Sequence, residues 1–301
     1  MKTVNLTRTE VSGARRVARL GGAAACALAT MFLLPPAASA ADTEFNARYS
    51  ARLAILPFTF ATGTLKAVVP ERGRYTVDFD AKGPSFTMSG RATGMVQANV
   101  LWPVTSATEA ADSSESRKIT ITMSRGRVRR ETVVPPLPYR PDRVPLTQEH
   151  RKGVTDPVSA MLMPVLSKGG PAEPGNCDRT LPIFEGTERF DIRMSYLRTE
   201  IVKTQKGYEG PAVVCRASYK AIAGHRSNSS AQYMEQNRTI EAWLVPIGGT
   251  NMMAPWRVSF ATRVGTLILE ASEFTSSANI MKPTDAATAS VQPVSETGTQ
   301  R

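Results

Sequence analysis

The stretch CDRTLPIFEGTERFDI, residues 177–192, sets one cysteine among carboxylates and arginines and is the first place to look for chemistry. Cys177 acting as a nucleophile needs a neighbouring base to hold its thiolate. The chain has two histidines, His150 and His225, and neither adjoins Cys177 in sequence. His225, in GHRSNSS, is a formal triad base, but no Gly-x-Ser-x-Gly elbow exists and the stretch reads as a flexible loop. Glu185, Glu188 and Asp191 are the candidates for a paired-carboxylate hydrolase, which requires one carboxyl in a dry pocket. Arg189 and Arg193 interleave with them, the pattern of solvated ion pairs on the wet face of a strand. The histidines lack metal-ligand spacing, and Cys-x-x-Cys, phosphate loops and dinucleotide fingerprints are absent, so no metal or cofactor is expected. The motifs weigh against an enzyme.

The ends of the chain say where such chemistry would operate. Lys2, Arg8, Arg15, Arg16 and Arg19 precede an apolar run from Leu20 to Leu34, and Ala38-Ser39-Ala40 is a small-x-small cleavage site. Residues 1–40 read as a cleaved signal peptide, because fifteen apolar residues fall short of the ~20 that cross a bilayer. Export to the periplasm follows, with no transmembrane segment after cleavage. Removing five basic residues and one acid lowers the formal charge from +11 to +7 over 261 residues. That balance suits an anionic envelope surface; nucleic acid is not expected, since no stacking-aromatic pattern accompanies the charge. Cys26 goes with the leader. The remaining pair, Cys177 and Cys215, most simply join each other in an oxidising compartment, a free reactive Cys177 being the other option. From Ser276 to Arg301 the chain is Thr/Ser/Ala/Pro-rich and aperiodic, and reads as a disordered tail.

The body between, 41–275, reads as a single all-β domain. Period-two alternation marks strands at Tyr75/Val77/Phe79, Ile119/Ile121/Met123, Phe190/Ile192/Met194/Tyr196 and Trp256/Val258/Phe260. Others fit 46–56, 58–69, 127–134, 211–222, 238–246 and 265–274, with glycine turns between them. Some ten strands with one apolar face predict a large curved antiparallel sheet closing into a barrel or half-barrel. Tyr75, Phe79, Phe190, Tyr196, Tyr219 and Trp256 would line its interior, either around an apolar ligand or as its own packed core. FATGTLKA (60–67) and FATRVGTLILEA (260–271) are alike and would be neighbours closing the sheet. TDPVSAMLMPVLSKGG, 155–170, predicts one short amphipathic helix, capped by Asp156, with Met161, Leu162 and Val165 on its apolar stripe as a lid or a core contact. The five prolines of VVPPLPYRPDRVP make a surface linker, and SRGRVRRE, 124–131, is a basic hairpin suited to anionic material.

Three of these stretches, GVTDPVSAM (153–161), CDRTLPIFEGTERFDI and CRASYKAIAG (215–224), in this order, resemble the exported proteobacterial family domain of unknown function 3108 (DUF3108). Members carry an Asp-Pro-x-Ser-Ala segment, a Cys-Asp stretch ending in Phe-Asp-Gly, and a later Cys before a Gly-ended strand. Here Glu185 stands where Asp is commoner. The resemblance covers about 45–275 and implies a periplasmic β-rich protein with a Cys177–Cys215 bridge; it supplies no catalytic residues, because the family has no established activity. Together these readings favour a non-enzymatic envelope protein that binds a hydrophobic or amphipathic molecule such as a lipid. A structural or interaction protein with a packed core is the alternative, and an envelope hydrolase comes third.

Overall fold

The computed structural model describes residues 42–280, so the expected leader lies outside the described residues. A meander of antiparallel strands comes first: β1 (Thr43–Leu53), β2 (Ala61–Val69), β3 (Gly73–Lys82), β4 (Phe86–Gln97), β5 (Val100–Asp112), β6 (Ser116–Ser124) and β7 (Arg127–Val134). The next stretch holds short 3-10 turns and the two-residue β8 (Met163–Pro164). There follow β9 (Arg179–Phe184), β10 (Arg189–Lys203), β11 (Lys206–Gly207), β12 (Glu209–Ala223), helix α1 (Ser229–Gln236), β13 (Ile240–Pro246), β14 (Met252–Thr262), β15 (Gly265–Ser276) and the helical turn α2 (Ser277–Ile280). The main path runs β7-β6-β5-β4-β3-β2-β1-β15-β14-β13-β12-β10-β9, with β8 on β14 and β11 on β15. Of the expected tail, 276–280 end β15 and form α2, while the rest lies outside the described residues.

Alternation sets the inward face. In β1, Phe45, Ala47, Tyr49 and Ala51 are buried while Glu44 and Arg48 are exposed, as a half-buried strand requires. Phe45, Leu65, Tyr75, Trp243 and Phe274 share one core cluster with Val158 and Leu162 from the stretch after β7. Two central strands, β4 and β5, have no counterpart among those expected from alternation. Their inward positions include Gly90, Ala92, Gly94 and Ser106, too small to register as an apolar face. The small residues make room: a Cβ at Gly90 would lie 2.8 Å from Val158, and one at Gly94 2.5 Å from the Tyr75 ring.

The expected barrel or half-barrel is not what forms. The hydrogen-bonded path has two ends, β7 and β9, which do not pair with each other. Both edges are met instead by irregular chain. Val154 N donates to Gly126 O, Thr155 N to Pro182 O, and Phe184 N to Thr155 O. An exposed edge is satisfied as well by a crossing segment as by a strand, and alternation within strands does not distinguish the two. The alike segments FATGTLKA and FATRVGTLILEA are also displaced from the expected closure. They fall in β2 and at the β14–β15 hairpin, mid-sheet, with β1 between β2 and β15.

The amphipathic helix over 155–170 is absent as well. Asp156 does cap, its Oδ1 accepting from Val158 N at 3.0 Å and Ser159 N at 2.9 Å, but only the 3-10 turn Ser159–Met161 follows. Pro164 has no N–H to give Ala160 and its ring would crowd that carbonyl, so the chain straightens into β8. Residues 163–177 then cover the outer face of the second half of the sheet. Met163, Met194, Val213, Leu244 and Met253 form a second cluster there around Cys177 and Cys215. Those two cysteines, both fully buried, are joined in a disulfide across 38 residues. The free-thiol option for Cys177 is thereby closed.

Candidate functional site

A cleft of about 510 Å³ opens where the C-terminal ends of β3 and β5 meet the N-terminal ends of β4 and β6. Its apolar lining is Phe79, Phe86, Met88, Ile119, Val158 and Met161, with Leu137 of the proline linker alongside. Arg117 and the carboxylates Glu109, Asp112, Glu115 and Glu185 supply the polar groups. Asp112 is occupied by its own turn, accepting from Ser114 N and Oγ and from Glu115 N. Arg117 pairs with Glu115 through one terminal nitrogen, while its Nε is buried without an acceptor among the described residues. A second groove, of about 850 Å³, involves β1–β5 and is lined largely by Thr62, Thr64, Asp80, Lys82 and Ser89, side chains that alternation sends to solvent. Of the two, the smaller combines the inner apolar face with a part-exposed arginine, Arg117.

One wall of the cleft is the Phe-Glu-Gly turn. Phe184 is fully buried with Ile121, Met123, Val128 and Val154, and Arg151 lies over its ring at 5.6 Å. Gly186 has φ +101°, and a Cβ there would stand 2.4 Å from Ile119 Cγ2, so the turn seats directly on β6. This presents Glu185 to the cleft with its Oε1 accepting from Thr187 Oγ1 at 2.6 Å. Desolvation raises the Glu185 carboxyl above its usual range, opposed by the Thr187 hydrogen bond, while Glu188 pushes it up and Arg143 pulls it down. Glu188 is raised by desolvation too, again against Arg143. The expected wet strand face is therefore corrected: Glu185 sits against protein. Arg189 and Asp191 pair at 2.7 Å with side chains only 12% and 14% exposed. Ile119 of β6 against Gly186, with Arg143 of the linker near Glu185 and Glu188, takes the place of water at the turn.

The Asp-Pro-x-Ser-Ala segment forms the opposite wall. Ser159 and Tyr75, both buried, share a hydroxyl hydrogen bond of 2.8 Å, and desolvation raises the buried Asp156 carboxyl against the hydrogen bonds of Ser159 and Val158. With no exposed surface, this group acts as a pin: it fixes Val158 and Met161 over β3 and β4.

The expected lining rings divide between two faces. Phe79 lines the cleft. Tyr75 and Trp256 are buried in the inner core, Trp256 donating to Thr204 Oγ1 at 3.1 Å. Phe190 and Tyr219 stack at 5.2 Å away from that core, and burial with nearby Glu188, Glu185 and Glu235 pushes the Tyr219 hydroxyl up to about 12. Tyr196, 39% exposed, bonds its own neighbour Thr199. Of the expected lid, Met161 lines the cleft, Leu162 is core, and Val165 packs on the outer cluster. Sequence reasoning missed Arg117, Glu109, Phe86 and Met88; the unrecognised β4 and β5 account for three of the four. The His225 Nδ1 is buried without a hydrogen-bond partner, and His150 Nδ1 accepts from Thr147 N. Among the described residues no group of three or more His, Cys, Asp or Glu is placed to hold a metal ion, and no helix is long and apolar enough to cross a membrane.

The strand frame, the disulfide and the two signature walls agree with a family-level match. The model of the family described as "Protein of unknown function (DUF3108)" matches residues 44–272. The chain belongs to DUF3108. Among solved structures, this DUF3108 protein is similar to a beta-barrel-like protein of domain of unknown function DUF1849 from Brucella abortus. That likeness has a TM-score of 0.42 and 10% identity over 77% of this chain and 97% of the other, too slight to bear on sheet closure or function. No curated protein matches the chain.

Proposed function

We propose that this DUF3108 protein is a non-catalytic periplasmic binding protein that holds an amphipathic envelope molecule, such as a lipid, in the cleft between β3–β6 and the two signature segments. The carrying observation is the apolar cleft of about 510 Å³ with the part-exposed Arg117 guanidinium in its polar lining. That volume lies within the ordinary range for small-molecule sites, which are mostly apolar with a few placed polar groups. Phe79, Phe86 and Met161 would take the apolar part, and Arg117 an acceptor oxygen of the head. Glu185, at the cleft wall, offers its carboxyl to a hydroxyl on that head. The test is solvent extraction and mass spectrometry of protein isolated from its native cells. A molecule recovered near one per chain, and depleted in Met161→Trp protein that still folds, supports the reading. Clean extracts from several preparations sink it. The alternative, an envelope scaffold with a packed interior, is favoured by the large buried main cluster that runs on beyond the cleft, and clean extracts would leave it standing.

A further inference from the structure

The end of the sheet that carries the cleft also carries exposed apolar loop tips. Ile55 (73% exposed) and Phe58 (57%) stand between β1 and β2, and Val264 (67%) on the β14–β15 turn. The two loops adjoin because β1 pairs with β15: Ala54 N donates to Thr266 O at 2.8 Å, and Ile55 Cδ1 lies 3.7 Å from where a Cβ on Gly265 would be. Scattered exposed apolar residues are ordinary; three on neighbouring tips form a patch that invites a partner. Arg52, Lys82 and Arg263 lie at the same end and are in no ion pair among the described residues, Arg263 lying over the Tyr233 ring at 5.6 Å. The acids of the β5–β6 turn there are held, Asp112 by Ser114 and Glu115 N and Glu115 by Arg117. The β3–β4 turn beside them leads into Phe86 and Met88 of the cleft lining.

We infer that this end docks on the surface of a lipid bilayer containing anionic lipid, with Ile55, Phe58 and Val264 entering the head-group region and Arg52, Lys82 and Arg263 meeting the lipid charge. Loop tips are convex. A protein partner would have to offer a matching hollow, whereas a fluid bilayer yields to them, and combined apolar and basic contacts are how peripheral proteins hold a membrane. Docking in this way turns the cleft mouth toward the bilayer, although the surface itself does not depend on what the cleft holds. Two competing surfaces lie at the opposite end of the strands: the basic hairpin around Arg125, Arg127, Arg129 and Arg130, and the cross-strand pair Met95 and Trp102. Met95, Trp102 and their β5 neighbours Val100 and Val104 are 41%, 37%, 45% and 36% exposed, each more than half covered along the strands, and the basic hairpin has no exposed apolar tip of its own.

The experiment is vesicle flotation of protein isolated from the cells that make it, after N-terminal sequencing has shown residues 1–40 to be gone, so that the leader cannot itself bind. Vesicles of phosphatidylglycerol and phosphatidylcholine should bind it. Pure phosphatidylcholine should bind on the order of a hundred-fold more weakly, since each cation at an anionic surface strengthens binding about five-fold. The triple variant Ile55→Ser, Phe58→Ser, Val264→Ser should lose about ten-fold or more on the anionic vesicles while keeping its melting temperature. Trp102→Ser should bind as wild type. Absence of binding to anionic vesicles, a triple variant that binds undiminished, or a loss confined to Trp102→Ser or to the 125–130 arginines would overturn the inference. So would self-association in lipid-free solution that the triple variant abolishes, because the tips would then serve a second copy of the chain. A clean solvent extract bears on the cleft alone and leaves this result untouched.

Discussion

Replacing Gly186 by alanine tests whether the Phe-Glu-Gly turn is seated on β6 as the structure places it. Two separate costs are expected. At φ +101° an alanine adopts a backbone conformation that L residues disfavour by about 1–2 kcal/mol. Its Cβ would also stand 2.4 Å from Ile119 Cγ2, and forcing a methyl into an occupied site costs about 1–3 kcal/mol. Gly186→Ala should therefore lose about 2–5 kcal/mol in urea unfolding followed by tryptophan fluorescence. Gly170 separates the two costs. Its φ is +106°, but nothing lies within 4 Å of a Cβ built there, so Gly170→Ala should show the backbone cost alone, about 1–2 kcal/mol. Ile119→Ala added to Gly186→Ala should give a coupling of about 1–3 kcal/mol, since the small side chain relieves the overlap. A Gly186→Ala loss no greater than that of Gly170→Ala, or zero coupling to Ile119, would refute the close contact and with it the placement of Glu185 at the cleft.

Two further outcomes concern the same region and its staple. Glu185→Gln should stabilise the protein at neutral pH. Burial raises the folded carboxyl above its unfolded value of about 4.3, so the folded chain holds its proton more tightly and stability falls as pH rises through that interval. The gain over wild type should vanish below the unfolded value, where both carboxyls are protonated; urea midpoints at acid and neutral pH read it, and a gain that persists in acid would contradict the cause. The double variant Cys177→Ala, Cys215→Ala should lose up to about 4 kcal/mol in urea, the entropy released by opening a loop of 38 residues. An unchanged midpoint would mean that the outer-face segment 163–177 is held by its packing alone.

Much of the frame was legible because a strand writes its two faces into the sequence. Tyr75 and Val77 against Thr76 and Asp78 can be read without a structure. β4 and β5 were illegible for the opposite reason. Gly90, Ala92 and Gly94 are small because Val158 and Tyr75 come close, and those neighbours belong to other parts of the chain. The 155–170 stretch has a helical stripe, yet Pro164 and pairing with Met252 and Met253 turn it into a short strand. The candidate site shares this limit: Phe79 and Met161 follow from strand and stripe patterns, whereas Arg117 stands out only where β5 and β6 pair.

By itself the sequence determined the β-rich composition of the domain, the two cysteines left for one bridge after the expected leader, and the signature turns that mark the family. These depend on local periodicity and on residue counts. Tertiary structure decided that the edges β7 and β9 are met by residues 152–155 instead of by each other, and that Phe190 and Tyr219 turn away from the inner core. It also decided that the carboxyl of Glu185, which the interleaved charges of its stretch assign to water, lies against protein at the cleft. Strand alternation fixes which residues share a face. What covers that face depends on chain remote in sequence, and only the packed fold brings it there.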